Sequence, residues 1–119
     1  SNAGFFTKDT WKAEFTEGTY EEGDIVLSGR YTFNVFEGSD FEDVLYWMNT
    51  KTFLICGFTT SLCIRKTVDA ARKKGYNFII VNDCSATFTG CLQKQFDRKF
   101  RDNITDSHNV IEGLNAITL

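Results

Sequence analysis

The sequence predicts an α/β fold, a three-layer α/β/α domain built around a mostly parallel sheet. Three observations carry this. Residues Thr52 to Asp83 read as apolar run, helix, glycine stop and second apolar run, which is one complete βαβ unit. Leu92, Phe96 and Phe100 then recur every four residues, the spacing of a further helix. The 119 residues, 42% hydrophobic and 15% aromatic, suit one domain with one core and argue against disorder.

The elements follow in order. Ser1-Asn2-Ala3 has the form of an expression-tag scar and is set aside, which leaves 4–119 as the domain. Glu21-Glu22-Gly23-Asp24 reads as a turn and Ile25 to Ser28 as a short strand. Tyr31, Phe33 and Val35 alternate with Thr32, Asn34 and Phe36, which fits a strand or an extended loop. Ser39-Asp40-Phe41-Glu42 has the capping-box pattern, and the helix it opens puts Phe41, Val44, Leu45 and Met48 on one face. Thr52 to Cys56 is a buried strand ended by Gly57. Thr59, Thr60 and Ser61 are capping residues, and Ile64, Val68 and Ala71 give the next helix its apolar face. Basic residues fill its last turn, and Gly75 stands where a left-handed C-cap is wanted. Phe78 to Val81 is the second strand, closed by Asn82-Asp83. In the helix of Leu92, Phe96 and Phe100, Lys94, Asp97, Arg98, Lys99, Arg101 and Asp102 form a solvated face. Asn103 to Thr105 is a short strand, and Val110, Ile111 and Leu114 belong to a last helix opened near Ser107.

Net charge is −3 with no basic stripe, which argues against nucleic acid. No apolar run approaches a membrane span, and no signal peptide is visible. Cys56, Cys63, Cys84 and Cys91 suit a reduced, cytoplasmic chain as readily as disulfides, and no Cys-x-x-Cys pair suggests zinc. Cys56 and Cys84 fall at strand ends, as core or pocket-edge residues.

Cys63 stands where a strand–turn enters a helix, at the carboxyl end of a strand, where ligand sites of open α/β sheets form. Unpaired N–H groups and the helix dipole there favour thiolate over thiol and offer donors to an oxyanion. A free cysteine is as commonly a small buried apolar residue, and position alone leaves both readings open.

Gly57-Phe58-Thr59-Thr60-Ser61-Leu62-Cys63-Ile64, followed by Thr67, Asp69-Ala70-Ala71, Gly75-Tyr76 and the strand to Asp83, resembles the isochorismatase-like cysteine hydrolase superfamily. Thr10-Trp11-Lys12-Ala13-Glu14-Phe15, Gly23-Asp24-Ile25-Val26 and Phe36-Glu37-Gly38-Ser39-Asp40-Phe41 resemble further segments of it, so the likeness covers nearly everything after residue 9. It implies a Rossmann-like sheet and hydrolysis of a small amide, carbamate or related substrate, with Cys63 as nucleophile and no cofactor. It also implies a cis peptide between Phe58 and Thr59 that turns backbone N–H groups toward a substrate oxygen. Asn34 and Phe36 are candidates to line the pocket, with Phe36 equally readable as core. Arg30 stands where the family has a catalytic lysine; it keeps the charge but stays protonated. The family's catalytic aspartate lies on an apolar-Asp-x-Gln strand that has no counterpart here. Asp9 and Asp24 are the nearest candidates and read as solvated loop acids. His108 is the sole histidine, so the metal site of the family's nicotinamidases is not expected.

These departures leave an alternative, an inactive relative that serves as an assembly or interaction module. A thiol-based redox protein is the third reading, weakest because no resolving cysteine lies near Cys63 in sequence. The resemblance also implies a strand order of 3-2-1-4-5-6, in which Ile25 to Ser28 matches the third strand and Thr52 to Cys56 the fourth. The first two strands being absent, the fourth is expected to expose an edge. Of the two ways to satisfy it, the third strand sliding over or a second copy pairing with it, the second is the expectation, a homodimer or larger assembly (a homo-oligomer) formed by strand exchange or edge pairing.

Overall fold

Among the described residues three parallel strands form the sheet in the order β1-β2-β3, with β2 between the other two. The computed structural model describes residues 17–27 and 30–117. Residues 1–3, expected to be a tag scar, Asp9, the segment 10–15 and Ser28 lie outside the described residues. Helix α1 (Phe41–Trp47) precedes β1 (Thr52–Phe58). A π-helical turn, Thr60–Ile64, runs into α2 (Arg65–Lys73), and β2 (Asn77–Ala86) follows. Then come α3 (Gly90–Phe100), a 3-10 turn (Arg101–Asn103), β3 (Ile104–Thr105) and α4 (Ser107–Ile117). The expected α/β fold is therefore present, with parallel strands linked by helices.

One face of the sheet holds the core. Ile64, Val68 and Ala71 of the π turn and α2 meet Phe78 and Ile80 of β2 and Phe96 and Phe100 of α3. Val68, Ala71 and Ile80 are fully buried, as the helical and strand periods of the sequence require. Phe53 and Ile55 of β1 pack against the rim of this cluster. Gly75 closes α2 at φ 83, a left-handed conformation that glycine adopts without steric cost.

β1 and β2 run in register from Thr52↔Asn77 to Ile55↔Ile80, then resume at Gly57↔Ser85. Between these points β2 makes an excursion of four residues opposite Cys56 alone, a bulge that bends the strand ends. Gly57 has φ 129, which excludes most side chains, although a Cβ there would meet nothing within 4 Å. Ser85 fastens the bulge by accepting the Gly57 N–H (3.3 Å) and donating to the Val81 carbonyl (2.8 Å).

Several expectations need correction. Residues 25–27 are irregular rather than a strand, and Ile25 and Val26 are exposed. No described strand pairs with them, so the third strand of the expected order has not slid over to β1. Residues 31–36 form bends and turns, the loop alternative. The capping box does not form: Ser39 Oγ bonds the Val35 carbonyl and accepts the Phe41 N–H (3.3 Å), while Glu42 reaches Lys74 at 3.3 Å. Met48 falls just past α1 and is exposed. α2 and α3 pack on the same face of the sheet, so cations of both helices, separated in sequence by a strand, come to one side of the fold. Among the described residues, no helix is long and apolar enough to cross a membrane.

Candidate active site

The carboxyl end of β1 and the opening of α2 create the site. A non-proline cis peptide joins Phe58 to Thr59. The Thr59 carbonyl accepts the N–H of Leu62 (3.3 Å) and of Ile64 (3.1 Å), passing over that of Cys63 between them. A π turn widens the helix opening at this point, and such turns recur at functional sites. The thiol of Cys63 is half-buried. Earlier in the same segment the hydroxyls of Thr59 and Thr60 are buried without a hydrogen-bond partner among the described residues. Unpartnered buried groups are uncommon and call for an explanation, of which a ligand is one.

A cavity of about 380 Å³ opens beside β1, and its walls include Arg30, Leu54, Cys56, Phe58, Cys63 and Thr67. It brings together Cys63, Arg30 and Phe58, which are remote in sequence. Arg30 is anchored by its own loop, donating from Nε to the Thr32 carbonyl (3.1 Å) and from Nη2 to that of Phe33 (2.9 Å). Asn34 and Phe36 are not brought to the cavity wall. The Asn34 side chain accepts the Phe36 N–H at 3.0 Å. The Phe36 ring packs on Phe41 and Tyr76 with centroids 5.2 and 5.8 Å away, under the Lys74 ammonium. Both shape the loop that carries Arg30.

Thr67 is the residue that sequence reasoning underused. One turn beyond Cys63, its hydroxyl accepts the Val35 N–H (3.1 Å) and donates to the Phe33 carbonyl (3.5 Å), tying the Arg30 loop to α2. Its spacing of four from Cys63 put both on one helix face, which was the available signal. A second tie, Ser61 Oγ to Thr87 Oγ1 at 2.5 Å, joins the π turn to the connection between β2 and α3.

Among the described residues no carboxylate lines the cavity. Asp24 sits in its turn, accepting the Glu21 N–H at 3.0 Å. Asp83, at the carboxyl end of β2, faces α4 instead: it accepts the Ser107 N–H (2.8 Å) and hydroxyl (2.6 Å). Those two bonds hold its carboxyl below the ordinary value. Cys84 is exposed overall, yet local desolvation, then the Asp83 charge and the Cys56 thiol, push it up. His108 pairs with Glu112 at 3.0 Å on the surface of α4. Among the described residues no cluster of three His, Cys, Asp or Glu could hold a metal ion. A half-buried thiol at a helix opening, sharing a cavity with an anchored arginine, is an arrangement suited to nucleophilic chemistry on a small polar substrate.

The sequence profile of the isochorismatase domain matches residues 1–107. No curated protein sequence matches the chain. Solved structures do. A cysteine hydrolase from Pseudomonas syringae pv. phaseolicola superposes with a TM-score of 0.83 at 18% identity, over 92% of this chain and 58% of that one. An isochorismatase from Pseudomonas putida gives 0.82 at 22% identity, over 92% and 63%. A nicotinamidase from Staphylococcus aureus gives 0.61 at 17% identity, over 65% and 50%. At these identities the likeness shows the fold, and the chain spans about 60% of the isochorismatase-like hydrolase from Alkaliphilus metalliredigens.

Proposed function

The chain belongs to the isochorismatase domain family, and on that premise we propose that it is a cysteine hydrolase of a small amide, carbamate or related substrate, with Cys63 as nucleophile. The observation that carries this is the shared cavity of Cys63 and Arg30 beside the helix opening. In this reading Cys63 Sγ attacks the substrate carbonyl carbon and its proton passes to a carboxylate beyond the described residues. Backbone N–H groups around Thr59 and Cys63 stabilise the oxyanion, and Arg30 holds a fixed positive charge nearby. The amine leaves, and water then cleaves the thioester. A cytoplasmic setting goes with the reading, because four free thiols suit a reducing compartment. So does a homo-oligomer, whose interface is argued below.

A second reading, a non-catalytic assembly module, draws on one specific observation: no carboxylate among the described residues lines the cavity. Intact-mass spectrometry during incubation with a panel of activated amides and carbamates separates the two. The hydrolase reading expects an acyl adduct on Cys63 that is absent in Cys63→Ala. An unmodified Cys63 across the panel, or adducts that persist in Cys63→Ala, would favour the module.

A further inference from the structure

The charge of this chain is sharply divided. Residues 65–101 carry nine of its 13 Lys and Arg but only three of its 16 Asp and Glu, a net +6 against −9 for the remainder. The fold concentrates this on one surface. α2 and α3 lie side by side on the same face of the sheet, joined through the core cluster and by Lys99 reaching Asp69 at 3.9 Å. Their cations are all exposed. On α3 and at the start of the 3-10 turn that continues it, Lys94, Arg98 and Arg101 recur at helical spacing away from the buried Phe96 and Phe100. Arg72 lies over Phe100 at 5.3 Å from the ring centroid and bridges the two helices. Asp69, half-buried, is shared by Arg65 and Lys99 at 4.0 and 3.9 Å, and Asp97 accepts from Gln93, while Asp102 beside Arg101 is an exposed acid on this face.

The complement is on the same chain. Residues 17–43 hold Glu17, Glu21, Glu22, Asp24, Glu37, Asp40, Glu42 and Asp43 against Arg30 alone. All of these acids except Glu42 are exposed, and Glu42 already pairs with Lys74 at the end of α2. The acidic segment thus adjoins one end of the basic face. When a surface is acidic at one end and basic at the other, a two-fold axis brings unlike ends together twice, in a closed and self-complementary contact.

We propose that two copies of this chain associate about a two-fold axis, the basic α2–α3 face of each docking against the acidic residues of 17–27 and 37–43 of the other. Charge complementarity of this kind sets partner choice and association rate, and it weakens as salt screens it. A nucleic acid is the rival for a basic face, but a chain with a net charge of −3 repels a polyanion at long range. The proposal is tested separately from the hydrolase reading: its experiment measures association rather than turnover, and the residues it substitutes do not line the cavity.

Sedimentation velocity across a salt series tests it, with a mixing experiment as the second arm. The wild-type chain is expected to dimerise at low salt and to dissociate near 1 M, where the Debye length is about 3 Å. Lys94→Glu/Arg98→Glu/Arg101→Glu and Glu21→Lys/Glu22→Lys/Asp24→Lys, each folded by circular dichroism, are expected to weaken self-association at least about tenfold. Mixed together, they are expected to form a one-to-one heterodimer, since both contacts are then between opposite charges. A wild-type monomer at low salt would overturn the proposal. So would a dimer indifferent to salt and to both variants, which would place the contact at the open edge of β1. So would salt-sensitive binding of a mixed-sequence DNA duplex to the wild-type monomer that the Lys94, Arg98 and Arg101 reversals abolish.

Discussion

Neighbouring residues on β2 lead opposite lives. Ile80 is fully buried between α2 and α3, whereas Ile79, the next residue back, is 36% exposed on the face that α4 covers. β1 repeats the contrast, with Ile55 against the core and Leu54 exposed. On the α4 face Leu114 and Ile117 are also exposed, and an open groove of about 360 Å³ runs between them and the strands. Among the described residues the sheet is thus sealed on one side and thinly covered on the other. What this teaches is where stability resides: the βαβ unit and α3 hold the fold, while α4 is fastened chiefly at its first turn through Asp83 and Ser107.

The comparison can be broken by substitution. Phe100→Ala, at the centre of the sealed side, is expected to cost about 3–5 kcal/mol in urea denaturation, by lost burial and the cavity left behind. Ile80→Ala is expected to cost about 2–5 kcal/mol, and Ile79→Ala about 1 kcal/mol or less. Equal costs for the two isoleucines would mean that the α4 face is sealed as well.

Acid sharpens the comparison with a smaller effect. Asp83 has its folded-state pKa lowered by Ser107. Its contribution is therefore present above the unfolded value and is lost as pH falls through the folded one. Asp83→Asn is expected to be less stable than wild type at neutral pH and to converge with it in acid. A gap that stays constant with pH would show that the carboxylate bonds to Ser107 do not fasten α4.

Much of this division was legible in the sequence. Ile64, Val68 and Ala71, then Phe96 and Phe100, announced a helical face by their spacing, and all five are buried. Gly75 announced the end of α2. What escaped depended on partners that spacing does not encode. Ser39 found the Val35 carbonyl and Glu42 found Lys74, so a correct local pattern yielded no capping box. Residues 25–27 had strand composition but no described neighbour to pair with. Cys63 was placed at the helix opening from its neighbours alone. The π turn, the anchoring of Arg30 by the Thr32 and Phe33 carbonyls and the tie through Thr67 all required the folded chain.

The central claim is that Cys63 occupies a reactive site rather than a structural one, and thiol alkylation tests it most directly. The folded protein would be treated with limiting iodoacetamide at neutral pH and mapped by peptide mass spectrometry. The account predicts that Cys63 is modified first, ahead of the more exposed Cys56 and Cys91 and well ahead of Cys84, whose raised pKa keeps it protonated. An untouched Cys63 beside a labelled Cys84 or Cys91 would contradict it.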